Sequence, residues 1–156
     1  MTSACTPVLE VVSDKVALAQ GCPVKGGSGS AVSAVSLAGG VLWQDSWDSK
    51  YVWPDFSCAV DGSRFAFGSL EMNRQMGTMD AFGEADVVGQ PVGVFDTESG
   101  KLEMVRNATP ILSGGHNFAV SADGRRFAIL REGAIEVYDL PPVSANEPAK
   151  ESPGKK

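Results

Sequence analysis

The strongest constraint on this chain is that it repeats itself. Phe56-Ser-Cys-Ala-Val-Asp61-Gly62-Ser-Arg64-Phe65-Ala66-Phe67 superimposes without a gap on Phe118-Ala-Val-Ser-Ala-Asp123-Gly124-Arg-Arg126-Phe127-Ala128-Ile129, with Phe, Asp, Gly, Arg, Phe and Ala coincident. Further on, Val92-Gly-Val94-Phe95-Asp96 matches Ile135-Glu-Val137-Tyr138-Asp139 at a shorter spacing, so the earlier copy carries an insertion, inside Ser69 to Gln90. A weaker copy lies upstream: Val32, Gly40 and Leu42 align with Val92, Gly100 and Leu102, and Lys15-Val-Ala17-Leu parallels Arg64-Phe-Ala66-Phe. The chain therefore reads as about three repeats of roughly 40 residues.

Each repeat has a physical reading. An apolar stretch, an Asp-Gly turn and an alternating Arg-Phe-Ala-Phe stretch are two antiparallel strands joined where glycine permits positive φ. Val92-Gly-Val-Phe-Asp96 is a third strand, Thr97 to Gly100 a turn, and Lys101 to Arg106 a fourth strand. With 18 glycines and nine prolines and few amphipathic helical runs, turns and strands dominate. A four-stranded meander with two apolar faces cannot stand alone; it stacks on neighbours. The expected fold class is all-β, with antiparallel four-stranded meander blades.

These residues resemble a known family. Gly115-His116, Phe118, Asp123-Gly124, Phe127-Ala128, Gly133 and Val137-Tyr138-Asp139 look like one WD-type β-propeller repeat, with Tyr-Asp in place of Trp-Asp. The run from Trp53 through Phe65 to Phe95-Asp96 is similar to divergent WD-like repeats. No copy ends in Trp-Asp and only one carries Gly-His, so the resemblance implies at best part of the family's hydrogen-bonded tetrad, with His116 reaching toward Glu132. It also implies a partial β-propeller over residues 7–140, with blades at 7–47, 53–106 and 115–140, the insertion at 69–90, a short lead at 1–6 and a disordered polar tail at 141–156.

Propellers close with roughly four to eight blades. Three cannot, so the expectation is further blades in cis or trans, self-association, or a smaller open sheet. Leu140-Pro141-Pro142 ends the third copy after its third strand, because proline opposes strand continuation.

Composition excludes other classes. The net charge of −6 would be repelled by phosphate, so neither a nucleic-acid surface nor an anionic membrane surface is expected. No apolar run approaches the ~18 residues of a membrane helix, and the first residues lack the features of a signal peptide, which points to a soluble, cytoplasmic protein. Three cysteines and one histidine, without CxxC or HxxxH, give no metal-site spacing, and no cofactor is implied. The odd cysteine count leaves a thiol unpaired. A two-residue Ser13-Asp14 turn between Val8–Val12 and Val16–Gln20 would bring Cys5 opposite Cys22, whereas a three-residue turn would shift the register; a disulfide and two buried thiols both stand open.

If propeller geometry carries over, the insertion, the Asn107 to Gly115 loop and the Glu132-Gly133 turn share one face, and the Asp-Gly turns lie opposite. The loop face formed by the 69–90 insertion and the 107–117 loop is the expected contact surface for a protein or peptide partner, with Glu71, Arg74, Met76, Met79, Asp80, Phe82, Glu84 and His116 as the candidate contact residues. The alternative is a local flap. Phe56, Asp61, Gly62, Phe65, Phe95, Asp96, Phe118, Asp123, Gly124, Phe127, Tyr138 and Asp139 are the structural repeat positions. Trp43, Trp47, Tyr51 and Trp53 either fill the space between blades or stack on a carbohydrate or peptide. His116 lacks a nucleophile motif around it, Gly26 to Ser30 lacks the lysine of a phosphate loop, and Asn107-Ala-Thr109 fits a glycosylation acceptor only in a secretory setting. The leading functional reading is a non-enzymatic binding module; the alternative is the propeller portion of a larger hydrolase or oxidoreductase.

Overall fold

A computed structural model describes residues 3, 5–22, 29–77, 80–112 and 116–142. The expectations for Met79, for Gly115, for most of the glycine-rich 26–30 loop and for the tail from 143 fall outside these residues. Among the described residues the protein is all-β, built from three consecutive antiparallel sheets. The first contains β1 (Val8–Val11), β2 (Val16–Gly21), β3 (Gly29–Ser36) and β4 (Val41–Asp48) in that order. The second contains β5 (Tyr51–Cys58), β6 (Arg64–Met72), β8 (Pro91–Asp96) and β9 (Leu102–Asn107), with the short β7 (Val87–Gly89) paired to the end of β6. The third contains β10 (Phe118–Val120), β11 (Arg126–Arg131) and β12 (Ala134–Asp139).

Side-chain alternation along the strands gives each sheet two faces, and the middle sheet buries both. On one, Phe65, Phe67 and Phe95 join Val16, Leu18, Val32 and Ala34 of the first sheet. Trp43 stacks on Phe65 with centroids 5.9 Å apart and Trp47 on Phe67 at 4.5 Å, so these two indoles fill the space between sheets. On the other face, Ala66, Val92 and Val94 meet Phe118, Val120, Phe127 and Ile129 of the third sheet. The middle sheet thus lies between its neighbours, with an apolar core on each of its faces.

The repeat extends to the backbone bonds. Ala59 N–H donates to Arg64 O, and Ser121 N–H to Arg126 O; Thr97 N–H donates to Ser63 O, and Leu140 N–H to Arg125 O. The Asp-Gly turns of successive sheets stack. Asp61 N–H donates to Ala122 O at 3.1 Å. Gly62, at φ 71°, lies so close to the first sheet that a Cβ there would sit 2.2 Å from Ser13 Cβ, and one on Gly124, at φ 63°, would meet Ser63 Oγ at 2.1 Å. Glycine at these two positions serves both the turn conformation and the approach of one turn to the next.

Three expectations are corrected. First, Leu37 N–H donates to Lys15 O, as Thr97 N–H does to Ser63 O, so Lys15 stands in the place of Ser63 and Val16 in that of Arg64. The upstream alignment is therefore one residue out in β2, because the turn before it is shorter than the Asp-Gly turns of the other two sheets. Second, Val8 opposes Gln20 and Val11 opposes Ala17, which makes the β1–β2 turn three residues long, Ser13-Asp14-Lys15. Cys5 and Cys22 nevertheless form a disulfide, with Cα atoms 5.4 Å apart. Pro7 donates no ladder bond, the strand pairing begins only at Val8, and Ser3 Oγ accepts from both Cys5 N–H and Cys22 N–H, so Cys5 is free of the strand register. Third, His116 does not reach toward Glu132; its Nδ1 lies 3.1 Å from Asp55 Oδ2, while Glu132 N–H donates to Thr109 Oγ1.

Candidate functional site

The site begins with a bulge. Val52 pairs with Leu70 and Asp55 with Gly68, so Trp53 and Pro54 together oppose the single residue Ser69. Proline has no N–H to give the ladder, and the extra residue re-aims its neighbour. Trp53 adopts φ 50°, an uncommon conformation for a bulky side chain, and its indole is 56% exposed while Trp43 and Trp47 are half-buried. Strain of this kind concentrates at ligand sites.

The insertion supplies the wall beside it. It is strand-like at both ends: β6 runs on to Met72, and β7 returns to pair Gly89 with Glu71 and Val87 with Met72. Leu70, Met72 and Met76 form a small core of their own, against which Val52, Phe82 and Val87 pack. The base of the insertion is therefore a flap fastened to β6, and Arg74 and Asp80 beyond it are exposed. Arg74 Nη1 binds Asp80 Oδ2 at 2.9 Å; the Gly77 N–H and then the Arg74 guanidinium hold the Asp80 carboxyl below the usual carboxylate range. Phe82 lies against Trp53, ring centroids 4.7 Å apart.

The loop after β9 closes the other side. Gln90, buried at the end of the insertion, donates from Nε2 to Leu112 O and accepts from Leu112 N–H (3.0 Å) and Asn117 Nδ2 (2.7 Å), while Ala108 N–H donates to Gln90 O. This clamp holds Ile111 beside the insertion. The result is a groove of about 530 Å³ lined by Trp53, Leu70, Phe82, Gly83, Glu84, Val87 and Ile111. Trp53 and Phe82 also border a smaller depression of about 270 Å³, reaching Ser49, Tyr51, Met76 and Asp80. The larger groove has the size and apolar lining of a small ligand or side-chain site, with one carboxylate, Glu84, on its rim.

Of the residues singled out in the sequence, Phe82 and Glu84 line this groove and Asp80 and Met76 the adjoining depression. Met76 is buried in the insertion core, Glu71 lies half-buried along β6, and Arg74 is exposed with its charge spent on Asp80. His116 lies apart from the groove, beside Asp55 and in a shallow depression shared with Phe118, Ala119, Leu130 and Ile135. Trp53 stands in the sequence only as one of four clustered aromatics; Gln90 closes the 69–90 insertion and Ile111 and Asn117 lie in the 107–117 loop, but no pattern marks any of these three individually. The Trp-Pro dipeptide inside a strand was the available signal for the bulge; nothing local marks Gln90.

A wider depression of about 920 Å³ on the turn side is lined by Asp61, Ser121, Asp123, Arg125, Arg126, Asp139, Leu140 and Pro142. Its polar groups spend their bonds nearby. Asp123 accepts from Ser121 Oγ and Arg125 N–H, which lower its pKa in that order, and Arg126 pairs with Asp139. The unpaired cysteine, Cys58, is partly buried between the first two sheets, and burial, then the Glu10 charge, pushes its thiol up to about 11. It is no activated nucleophile.

Fold and groove together define an all-β repeat protein of stacked antiparallel meanders with an apolar groove at one end of its middle sheet. No family model matches the chain, and none of the curated proteins matches it. Among solved structures, Kuenenia stuttgartiensis hydrazine synthase is similar at a TM-score of 0.46 and 16% identity, over 81% of this chain and 37% of that one. The chain thus spans little more than a third of the length of that structure.

Proposed function

We propose that this chain is a binding module, not an enzyme, and that it takes an extended segment of a protein or peptide partner across the loop face. An apolar or aromatic side chain of the partner inserts between Trp53, Phe82 and Ile111, and a neighbouring basic residue meets Glu84. The single observation that carries the reading is the outward-facing Trp53, held at φ 50° by a bulge and flanked by two elements distant in sequence. Trp and Phe anchors dominate recognition energetics when desolvated in this way. The chain's net charge of −6 favours a basic partner segment.

The test is selection of a displayed random-peptide library on the wild-type chain, followed by affinity measurement with Trp53→Ala and Phe82→Ala variants. Peptides sharing an apolar anchor next to Lys or Arg are expected, with at least roughly tenfold weaker binding to either variant. Failure to enrich any sequence, or equal binding to the variants, overturns the proposal. Because both rings lie at the rim, circular dichroism should be unchanged in each variant.

A further inference from the structure

Trp53 and Phe82 line two hollows at once: the groove of about 530 Å³ and the adjoining depression of about 270 Å³. The chemistry changes from one to the other. Around the two rings the groove has Leu70, Val87 and Ile111, whereas the depression has the hydroxyls of Ser30, Ser49 and Tyr51 and the carboxylate of Asp80. Among its described lining residues there is no lysine, arginine or histidine, and the Gly77 N–H is already given to Asp80. An anion entering here would meet a carboxylate and the negative faces of aromatic rings, with no cation to hold it.

Two groups in the depression have bonding capacity to spare. The bonds that Asp80 receives from Arg74 and Gly77 both end on Oδ2, and together they hold its carboxyl ionised. Ser49 is 4% exposed and its Oγ has no hydrogen-bond partner, which is rare for a buried hydroxyl. Acceptors beside aromatic faces call for an occupant that donates in several directions and stacks. A guanidinium does both: it is planar, carries five N–H donors and no acceptor, and packs on aromatic rings. An ammonium, compact and strongly hydrated, lacks the flat face.

In an extended segment, side chains two residues apart point to the same face, about 6.6 Å from each other. A segment whose anchor fills the groove therefore brings its second neighbour to the next hollow on that surface. Resting on the reading of the groove as a peptide site, we propose that the depression receives an arginine of the partner, two residues from the apolar anchor, with its guanidinium stacked on the Trp53 indole and donating to Asp80 and Ser49. The indole is open to such a contact, since Trp53 is 56% exposed. The recognised pattern is then anchor, any residue, arginine, with the basic residue for Glu84 on the other side of the anchor.

Titration of the full chain with capped peptides, followed by nuclear magnetic resonance of the Trp53 indole N–H, tests this. The peptides are Ser-Lys-Phe-Ser-Arg-Ser and the reversed order Ser-Arg-Ser-Phe-Lys-Ser, each with counterparts carrying alanine or lysine for the arginine. One order is expected to bind at least roughly tenfold tighter than its alanine counterpart, and lysine should recover little of that gain. Asp80→Asn should bring the arginine and alanine peptides close to equal affinity, with unchanged far-ultraviolet circular dichroism. Ser49→Ala, which removes only an oxygen, should narrow the gap between them. If the alanine peptides bind at Trp53 and arginine adds nothing, the anchor site stands and the arginine site is overturned. It is overturned as well if lysine serves as well as arginine, or if the gain survives both substitutions, because the cation is then held elsewhere. If no peptide moves the Trp53 signal, the anchor site and the arginine site fail together.

Discussion

Arg64 donates from Nη1 to the carbonyl oxygen of Gly124 at 2.7 Å, joining the second sheet to the Asp-Gly turn of the third. The same guanidinium binds Glu103 through Nε at 2.5 Å and Pro141 O through Nη2, and it is wholly buried. One side chain thus ties β6, β9, the β10–β11 turn and the end of β12. Removing it leaves a mostly buried carboxylate and two carbonyls without their partner. Arg64→Met should therefore cost about 3–5 kcal/mol in urea unfolding, and Arg64→Lys should recover less than half, because an ammonium cannot serve three directions in one plane. A loss under about 1 kcal/mol would show that the guanidinium does not hold the sheets together.

Gly62 and Gly133 separate two effects of adding a methyl group. Both have positive φ, 71° and 80°, but a Cβ on Gly62 collides with Ser13 while one on Gly133 meets nothing within 4 Å. Gly133→Ala should cost only the conformational strain, about 1–2 kcal/mol. Gly62→Ala should cost clearly more, and the difference between their urea midpoints reads the stacking of the turns. Equal losses would place the whole effect in the backbone.

Cys58 should be a slow thiol. With its pKa at about 11, alkylation by iodoacetamide at pH 8 should run roughly 100-fold slower than for an ordinary exposed thiol. The sign of the linked stability change follows from the raised value. In the unfolded chain the thiol ionises near pH 9, before the folded one does, so stability should fall as pH rises from about 9 toward 11. Cys58→Ser should flatten that limb; a wild-type profile no steeper than the variant's would contradict the burial of the thiol.

The Cys5–Cys22 bond closes a loop of sequence separation 17 and anchors the edge strand β1. The chain-entropy treatment of a loop this size gives at most about 3 kcal/mol. Replacing both cysteines with serine should lower the melting temperature and speed amide exchange in β1 before β6, whose residues are buried almost throughout. Unchanged melting, or simultaneous loss of protection in all three sheets, would refute that division.

Much of the fold was legible because the repeat is local. Asp61-Gly62 and Asp123-Gly124 specify turns by themselves, and the alternation around Phe65 and Phe127 specifies which residues face a core. Lys15 is chemically like Arg64 yet occupies the place of Ser63, because the turn before β2 is shorter. In the groove, the sequence drew attention to the insertion and to Phe82 and Glu84, but the partners that shape the site come from elsewhere. Trp53 is aimed by a bulge opposite Ser69, and Ile111 is held by the buried amide of Gln90.

The amino-acid order alone determined that this protein is a series of look-alike antiparallel sheets, since strand period and turn chemistry depend on residues a few positions apart. Only the tertiary structure decided that Cys5 meets Cys22, that His116 meets Asp55 and not Glu132, and that Trp53, Phe82 and Ile111 form one groove. Those outcomes depend on register between strands and on the spacing of stacked sheets, where a shift of one residue turns a side chain to the opposite face.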